Sequence, residues 1–192
     1  MKFKGKVMFK KYCVSLLSSL FIFCILFSNN GQTESLKNVY DFQFESINGS
    51  NIKMEDFMGK LVLVVNTASN CGFTKQYAGL QEVWDTYKSR GLIILGIPSN
   101  SFNQELKDNE SIANFCEVNF GIDFPMTSRI PVVGENSHPF YAWLKENHGI
   151  VPKWNFSKVL ISRNGKVIDS FSSRTKPNGK QLLSLIEKNL DG

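Results

Sequence analysis

Apolar residues change rhythm along this chain, and each change predicts an element. Residues 61–65, Leu-Val-Leu-Val-Val, form an unbroken apolar run, the pattern of a strand buried on both faces. Residues 39–45 alternate instead, with Phe42 and Phe44 on one face, which predicts an earlier strand. Asn48-Gly49 is a turn signal, so a hairpin is expected before Met54. From 74 to 89 the spacing lengthens: Tyr77, Leu80, Trp84 and Tyr87 recur with helical period. Thr74 is placed to cap that helix and Gly91 to end it. Residues 92–97 are a second buried strand. A strand, a helix and a strand in this order require parallel pairing and a right-handed crossover.

Residues 98–108 read as a loop. Asn109 or Ser111 can start a helix to Phe120, with Ile112, Phe115, Cys116 and Phe120 on one side and Gly121 at its end. Residues 130–133 are a short strand candidate. Ser137 is placed to cap a helix through His148, with Pro139 tolerated in its first turn. Residues 159–161 and 166–171 flank Asn164-Gly165, a second hairpin. After Pro177 a last helix brings Leu182, Leu183, Ile186 and Leu190 onto one face. The order predicts an α/β protein with a thioredoxin-like fold: a central mixed sheet flanked by helices, preceded by a small N-terminal β-hairpin.

Charge changes the reading only at the N-terminus. The 192-residue chain carries a formal net charge of +5, but five lysines lie in the first eleven residues and no acid precedes Glu34. Setting those five aside leaves 17 basic against 17 acidic residues. The body is neutral and offers no electrostatic case for nucleic acid. The basic start leads into an apolar stretch over 12–27, the pattern of a secretory signal. That stretch is short for a spanning helix. An uncleaved anchor attaching the chain to a membrane is the alternative, since no clean cleavage site is visible. Residues 1–33 therefore read as signal peptide or anchor, and 34–192 as one domain. Export implies a compartment where disulfides persist.

Cys13 and Cys24 belong to the leader, so the body has two cysteines, Cys71 and Cys116. There is no C-x-x-C, which disfavours a dithiol oxidoreductase, and no Cys/His cluster for zinc. No glycine-rich phosphate loop occurs. His138 and His148 sit near opposite ends of one predicted helix, where capping or solvated roles suit them. Cys71 stands out. It follows the small and polar residues 66–70 at the carboxyl end of the central strand, just before a helix. Open α/β sheets place their sites at that edge, and a helix N-terminus there favours the thiolate. Cys116 is open on its own pattern: a packed core thiol, or a resolving thiol that condenses with an oxidised Cys71. Trp154 and Asn155, just before the second hairpin, each carry an N–H donor. They read either as a packed tryptophan and a turn asparagine, or as donors stabilising charge on sulfur or on a departing oxygen.

Three runs, N-T-A-S-N-C-G-F-T around Cys71, S-I-A-N-F-C-E-V-N-F-G-I-D-F-P through Cys116 and K-W-N-F-S-K around Trp154, resemble the glutathione peroxidase family. The resemblance covers roughly residues 36–190. It implies that Cys71 occupies the peroxidatic position, that Trp154 and Asn155 are two further members of the family's catalytic tetrad, and that Cys116 matches the resolving cysteine of members recharged by thioredoxin. One departure is plain. The tetrad's glutamine is replaced by Ser101, and the next glutamine, Gln104, arrives one residue early in a Gln-Glu pair.

The resemblance implies a thiol peroxidase acting on hydrogen peroxide or organic hydroperoxides, with no metal or organic cofactor. Its other partner would be an external thiol reductant, a thioredoxin-like protein or glutathione. The rival function is a peroxide sensor or relay that passes its disulfide to a partner protein, which the Ser101 replacement favours.

Overall fold

Backbone polar groups decide where the elements lie once the apolar runs have collapsed. The computed structural model describes residues 38–191; the proposed leader lies outside them. The strands are β1 (Gln43–Glu45), β2 (Asn51–Lys53), β3 (Leu61–Thr67), β4 (Leu92–Pro98), β5 (Lys158–Ile161) and β6 (Val167–Phe171). The helices are α1 (Gln76–Tyr87), α2 (Asn109–Phe120), α3 (Pro139–His148) and α4 (Lys180–Leu190). β1 and β2 pair as an antiparallel hairpin. The other four form a mixed sheet in the order β4-β3-β5-β6, with β3 and β4 parallel and the remaining pairs antiparallel. This is the thioredoxin-like fold expected from the element order.

β3 is buried along its whole length. Its alternate side chains feed two cores, as a pleated strand between two layers must. Leu61, Leu63 and Val65 pack with Leu80 of α1, Ile112 of α2 and Ile186 of α4. Val62 and Val64 pack on the other face with Phe140 and Leu144 of α3. Phe42 and Phe44 join that second core, so the hairpin closes it. Each such side chain contributes roughly 1.5–3 kcal/mol by leaving water.

Several local expectations are corrected. Residues 39–41 form a 3-10 turn rather than strand, because the side chain of Asn38 accepts from Tyr40 N–H and Asp41 accepts from Asn38 N–H. On α1, Val83 takes the fully buried place and Trp84 is only partly covered, with the Lys88 ammonium 5.6 Å from its ring centre. α3 is capped by His138, whose Nδ1 accepts from Phe140 N–H, and not by Ser137. Residues 130–133 form no strand. The outer edge of β4 is met instead by Pro125–Thr127, through Gly96 N–H to Pro125 O and Thr127 N–H to Gly96 O, both 2.9 Å. A Cβ at Gly96 would lie 3.1 and 3.2 Å from the side chains of Phe124 and Met126, so glycine lets that segment approach without displacing them. No helix among the described residues is long and apolar enough to cross a membrane.

The least expected core residue is Lys158 on β5, 1% exposed. Its ammonium donates to Gln76 Oε1 at the start of α1 and to Thr175 O after β6. Both acceptors are neutral, so burial dominates and holds the amine down to about 7. Between that value and its ordinary 10.5 the unfolded chain binds a proton that the native chain does not. Stability therefore climbs with pH across that window, by at most about 1.4 kcal/mol per pH unit. Urea unfolding midpoints measured from pH 7 to 10.5 are expected to rise in the wild type, and that rise flattens in Lys158→Met.

Candidate active site

Three stretches of chain meet where β3 ends. The first is the corner itself. After Thr67 the chain turns through Ala68, Ser69 and Asn70 to Cys71, and Thr74 ties the turn off. Its hydroxyl accepts from Cys71 N–H at 3.0 Å, and its own proton lies nearest Cys71 O at 2.6 Å. Thr74 thus serves the turn and not the helix, which starts at Gln76 with no side-chain cap. The Cys71 sulfur accepts from Phe73 N–H at 3.4 Å. This N–H at the turn supplies the polar support expected for a thiolate there. Cys71 is 8% exposed and carries a free thiol.

The second stretch is 100–106, the loop after β4. Gln104 O accepts from Asn70 N–H at 2.9 Å. Glu105 Oε1 accepts from Ser69 N–H at 3.0 Å and from Leu106 N–H at 2.8 Å. Asn100 Oδ1 accepts from Glu105 N–H at 3.1 Å. Burial raises the Glu105 carboxyl above its usual range, against these hydrogen bonds and Arg129, which pull it back. Ser101 stands in the same loop but turns away from the corner. Its oxygen accepts from Val132 N–H and from the Ser99 hydroxyl, each at 3.0 Å.

The third stretch is the turn 154–156. Asn66, the one amide in the buried strand, grips it twice: Asn66 Nδ2 donates to Trp154 O at 3.1 Å, and Asn66 O accepts from Phe156 N–H at 2.6 Å. Phe156 has φ +62°, a left-handed conformation that a bulky residue seldom adopts. Its fully buried ring sets edge-on against Tyr77, 5.3 Å between centres, and that packing offsets the cost. The turn delivers Asn155 inward and Trp154 outward. Asn155 is fully buried and donates from Nδ2 to Gln104 Oε1 at 3.0 Å. Trp154 is 39% exposed, its ring 5.3 Å from that of Phe102.

The predicted residues therefore assemble unevenly. Asn155 reaches the Cys71 corner by way of Gln104. The main chain of Trp154 is tied to β3, while its indole lies at the surface beside Phe102. Among the described residues no hydrogen bond joins Trp154 or Asn155 directly to the sulfur. Cys116 is a free thiol, 1% exposed, in the same buried cluster as Cys71. Burial lifts its thiol to about 11, with the Glu105 charge adding to the rise and Tyr77 opposing it. Buried polar atoms without a protein partner gather here: Asn66 Oδ1, Thr67 Oγ1, Ser69 Oγ, Tyr77 Oη, Glu105 Oε2 and Asn155 Oδ1. Folded proteins leave few such atoms without a partner, whether protein, water or a bound molecule. Among the described residues no cluster of three histidine, cysteine or acidic side chains is placed to hold a metal.

Sequence reasoning missed the structural weight of Glu105 and Asn66. Each left a trace, since Asn66 interrupts an apolar strand and Glu105 is an acid beside an apolar position in a loop.

Fold and site together define a thioredoxin-fold protein with a reduced cysteine at the carboxyl edge of its central strand. The glutathione peroxidase family model matches residues 39–145. A glutathione peroxidase of Lactococcus lactis is 48% identical over 145 residues, spanning 73% of this chain and 92% of that one. The glutathione peroxidase-like peroxiredoxin gpx1 of Schizosaccharomyces pombe is 45% identical, over 74% of this chain and 93% of its own length. The crystal structure of Trgpx in apo form superposes with TM-score 0.64 at 34% identity, covering 81% of this chain and 97% of that one. The chain belongs to the glutathione peroxidase family and is a glutathione-peroxidase-like peroxidase.

The buried carboxyl gives a pH test. Glu105 holds its proton more tightly in the folded chain than in the unfolded one. Its ionisation therefore costs stability as pH rises from near 4.5. Thermal midpoints from pH 4 to 7 are expected to show this loss in the wild type, and Glu105→Gln should remove that component.

Proposed function

We propose that the protein is a thiol peroxidase in which Cys71 is oxidised by peroxide and Cys116 resolves the product. The Cys71 thiolate attacks one oxygen of hydrogen peroxide or an organic hydroperoxide. The O–O bond breaks, and the departing oxygen takes a proton and leaves as water or alcohol. Cys71 becomes a sulfenic acid. Cys116 then attacks that sulfur, water leaves, and a Cys71–Cys116 disulfide forms. An external thiol reductant, a thioredoxin-like protein or glutathione, reopens it by thiol–disulfide exchange. The observation that carries the reading is the free Cys71 at the strand edge, its sulfur met by Phe73 N–H and its turn bonded to Gln104, which also accepts from the Asn155 amide.

Cys116 sets a condition on the second step. Its thiol is buried and held near 11, so it is a weak nucleophile while α2 stays packed. The two cysteines stand 45 positions apart on different elements, and a disulfide needs their Cα atoms within about 7 Å. Resolution therefore follows a loosening of α2 that exposes Cys116. The basic and then apolar N-terminus supports export or anchoring of this domain.

A second reading, a peroxide sensor or relay, draws on Ser101. Its oxygen accepts from Val132 N–H, and its short side chain stands where the family pattern carries a glutamine, which favours a slower catalyst.

In Cys71→Ser, peroxide consumption with a dithiol reductant is expected to vanish; consumption at the wild-type rate would sink the proposal. In Cys116→Ser, one equivalent of peroxide should still oxidise Cys71, detected as a sulfenic acid by mass spectrometry, while turnover with thioredoxin collapses. Steady-state clearance separates peroxidase from sensor: a sensor oxidises once and clears little.

A further inference from the structure

We propose that Gln104 is a positioning residue: its side-chain carbonyl fixes the Asn155 amide, and its main chain holds the corner that carries Cys71. This rests on the roles proposed above for Cys71 and Asn155. Gln104 is bonded to both parts of the site. Its O accepts from Asn70 N–H, one residue before the thiol, and its Oε1 accepts from Asn155 Nδ2. Moving Gln104 moves the two together.

The need for such a residue follows from Asn155 itself. The terminal torsion of an asparagine is soft, and half a turn exchanges donor for acceptor. Asn155 is fully buried, so bulk water does not set that torsion. Its Oδ1 has no protein partner to do so either. The bond to Gln104 commits one Nδ2 proton and leaves the other free to meet negative charge at the corner. Gln104 is in turn well braced. Its neighbour Glu105 is pinned through its carboxylate to Ser69 and Leu106 and through its N–H to Asn100. Ser101 makes no bond to Asn155; its oxygen accepts from Val132 N–H and from the Ser99 hydroxyl.

The test is the rate at which hydrogen peroxide oxidises Cys71 once, in the reduced full chain, followed by rapid quench and mass spectrometry. Gln104→Met keeps the main-chain bond to Asn70 and removes the amide. It is expected to slow that oxidation about 10- to 100-fold in a chain that still folds at the assay temperature, while Ser101→Ala oxidises at the wild-type rate. Because Gln104 acts through Asn155, the double variant Gln104→Met/Asn155→Ala should be no slower than Asn155→Ala. Undiminished oxidation of Gln104→Met, or losses that multiply in the double variant, would overturn the proposal. A second measurement needs no variant. One Asn155 side-chain amide proton in the wild type should resist solvent exchange by NMR, and exchange of both at the free-amide rate overturns the assignment. A wild-type Cys71 inert to peroxide would defeat the parent reading as well, whereas normal wild-type oxidation with an unaffected Gln104→Met removes this inference alone.

Discussion

A strand buried on both faces must end somewhere, and where it ends its main-chain donors lose their ladder without regaining water. β3 meets this constraint just past Thr67. The N–H groups of Ser69, Asn70 and Cys71 are satisfied by Glu105, Gln104 and Thr74 in turn. An unmade bond to such a group costs about 1–3 kcal/mol, so these three bonds fix the corner's shape. The cysteine that the corner presents inherits its position from them.

The same constraint explains why charge is buried so close to an apolar core. Glu105 is drawn inside because two N–H groups there need an acceptor, and it is destabilised there as an anion. Lys158 is drawn inside to join the start of α1 to the segment after β6, and it is destabilised there as a cation. In both cases the fold accepts an electrostatic penalty to keep loops registered on the sheet edge. Asn66 does the same work without charge, holding the turn 154–156 against β3 with its amide and its carbonyl.

These fixed contacts surround a chemistry that needs movement. Cys71 sits on the braced side, with Thr74, Gln104 and Glu105 about it. Cys116 sits on α2, on which Val118 is widely exposed and Phe115 and Phe120 are only partly covered. In the proposed cycle the braced thiol meets peroxide and α2 brings the second thiol to it.

Much of this was legible in the chain. The unbroken apolar run at 61–65 announced the central strand, because burial on both faces is what tolerates that pattern. Asn48-Gly49 and Asn164-Gly165 announced both hairpins, because few other residues make those turns cheaply. Polar residues after the strand announced the corner that carries Cys71, and the three family-like runs named the family. Other features were invisible because they depend on pairs far apart in sequence. No local pattern says that Gln104 will meet Asn155, that Ser101 will turn toward Val132, or that Thr74 will close its own turn instead of capping α1. Nor does any periodicity say that a lysine on β5 will be covered. Sequence by itself determined the main elements, their order and the cysteine at the strand edge, since these follow from side-chain spacing and backbone chemistry. Tertiary structure decided which side chains satisfy the buried polar groups, since that choice is made only when distant segments compete for the same few donors and acceptors.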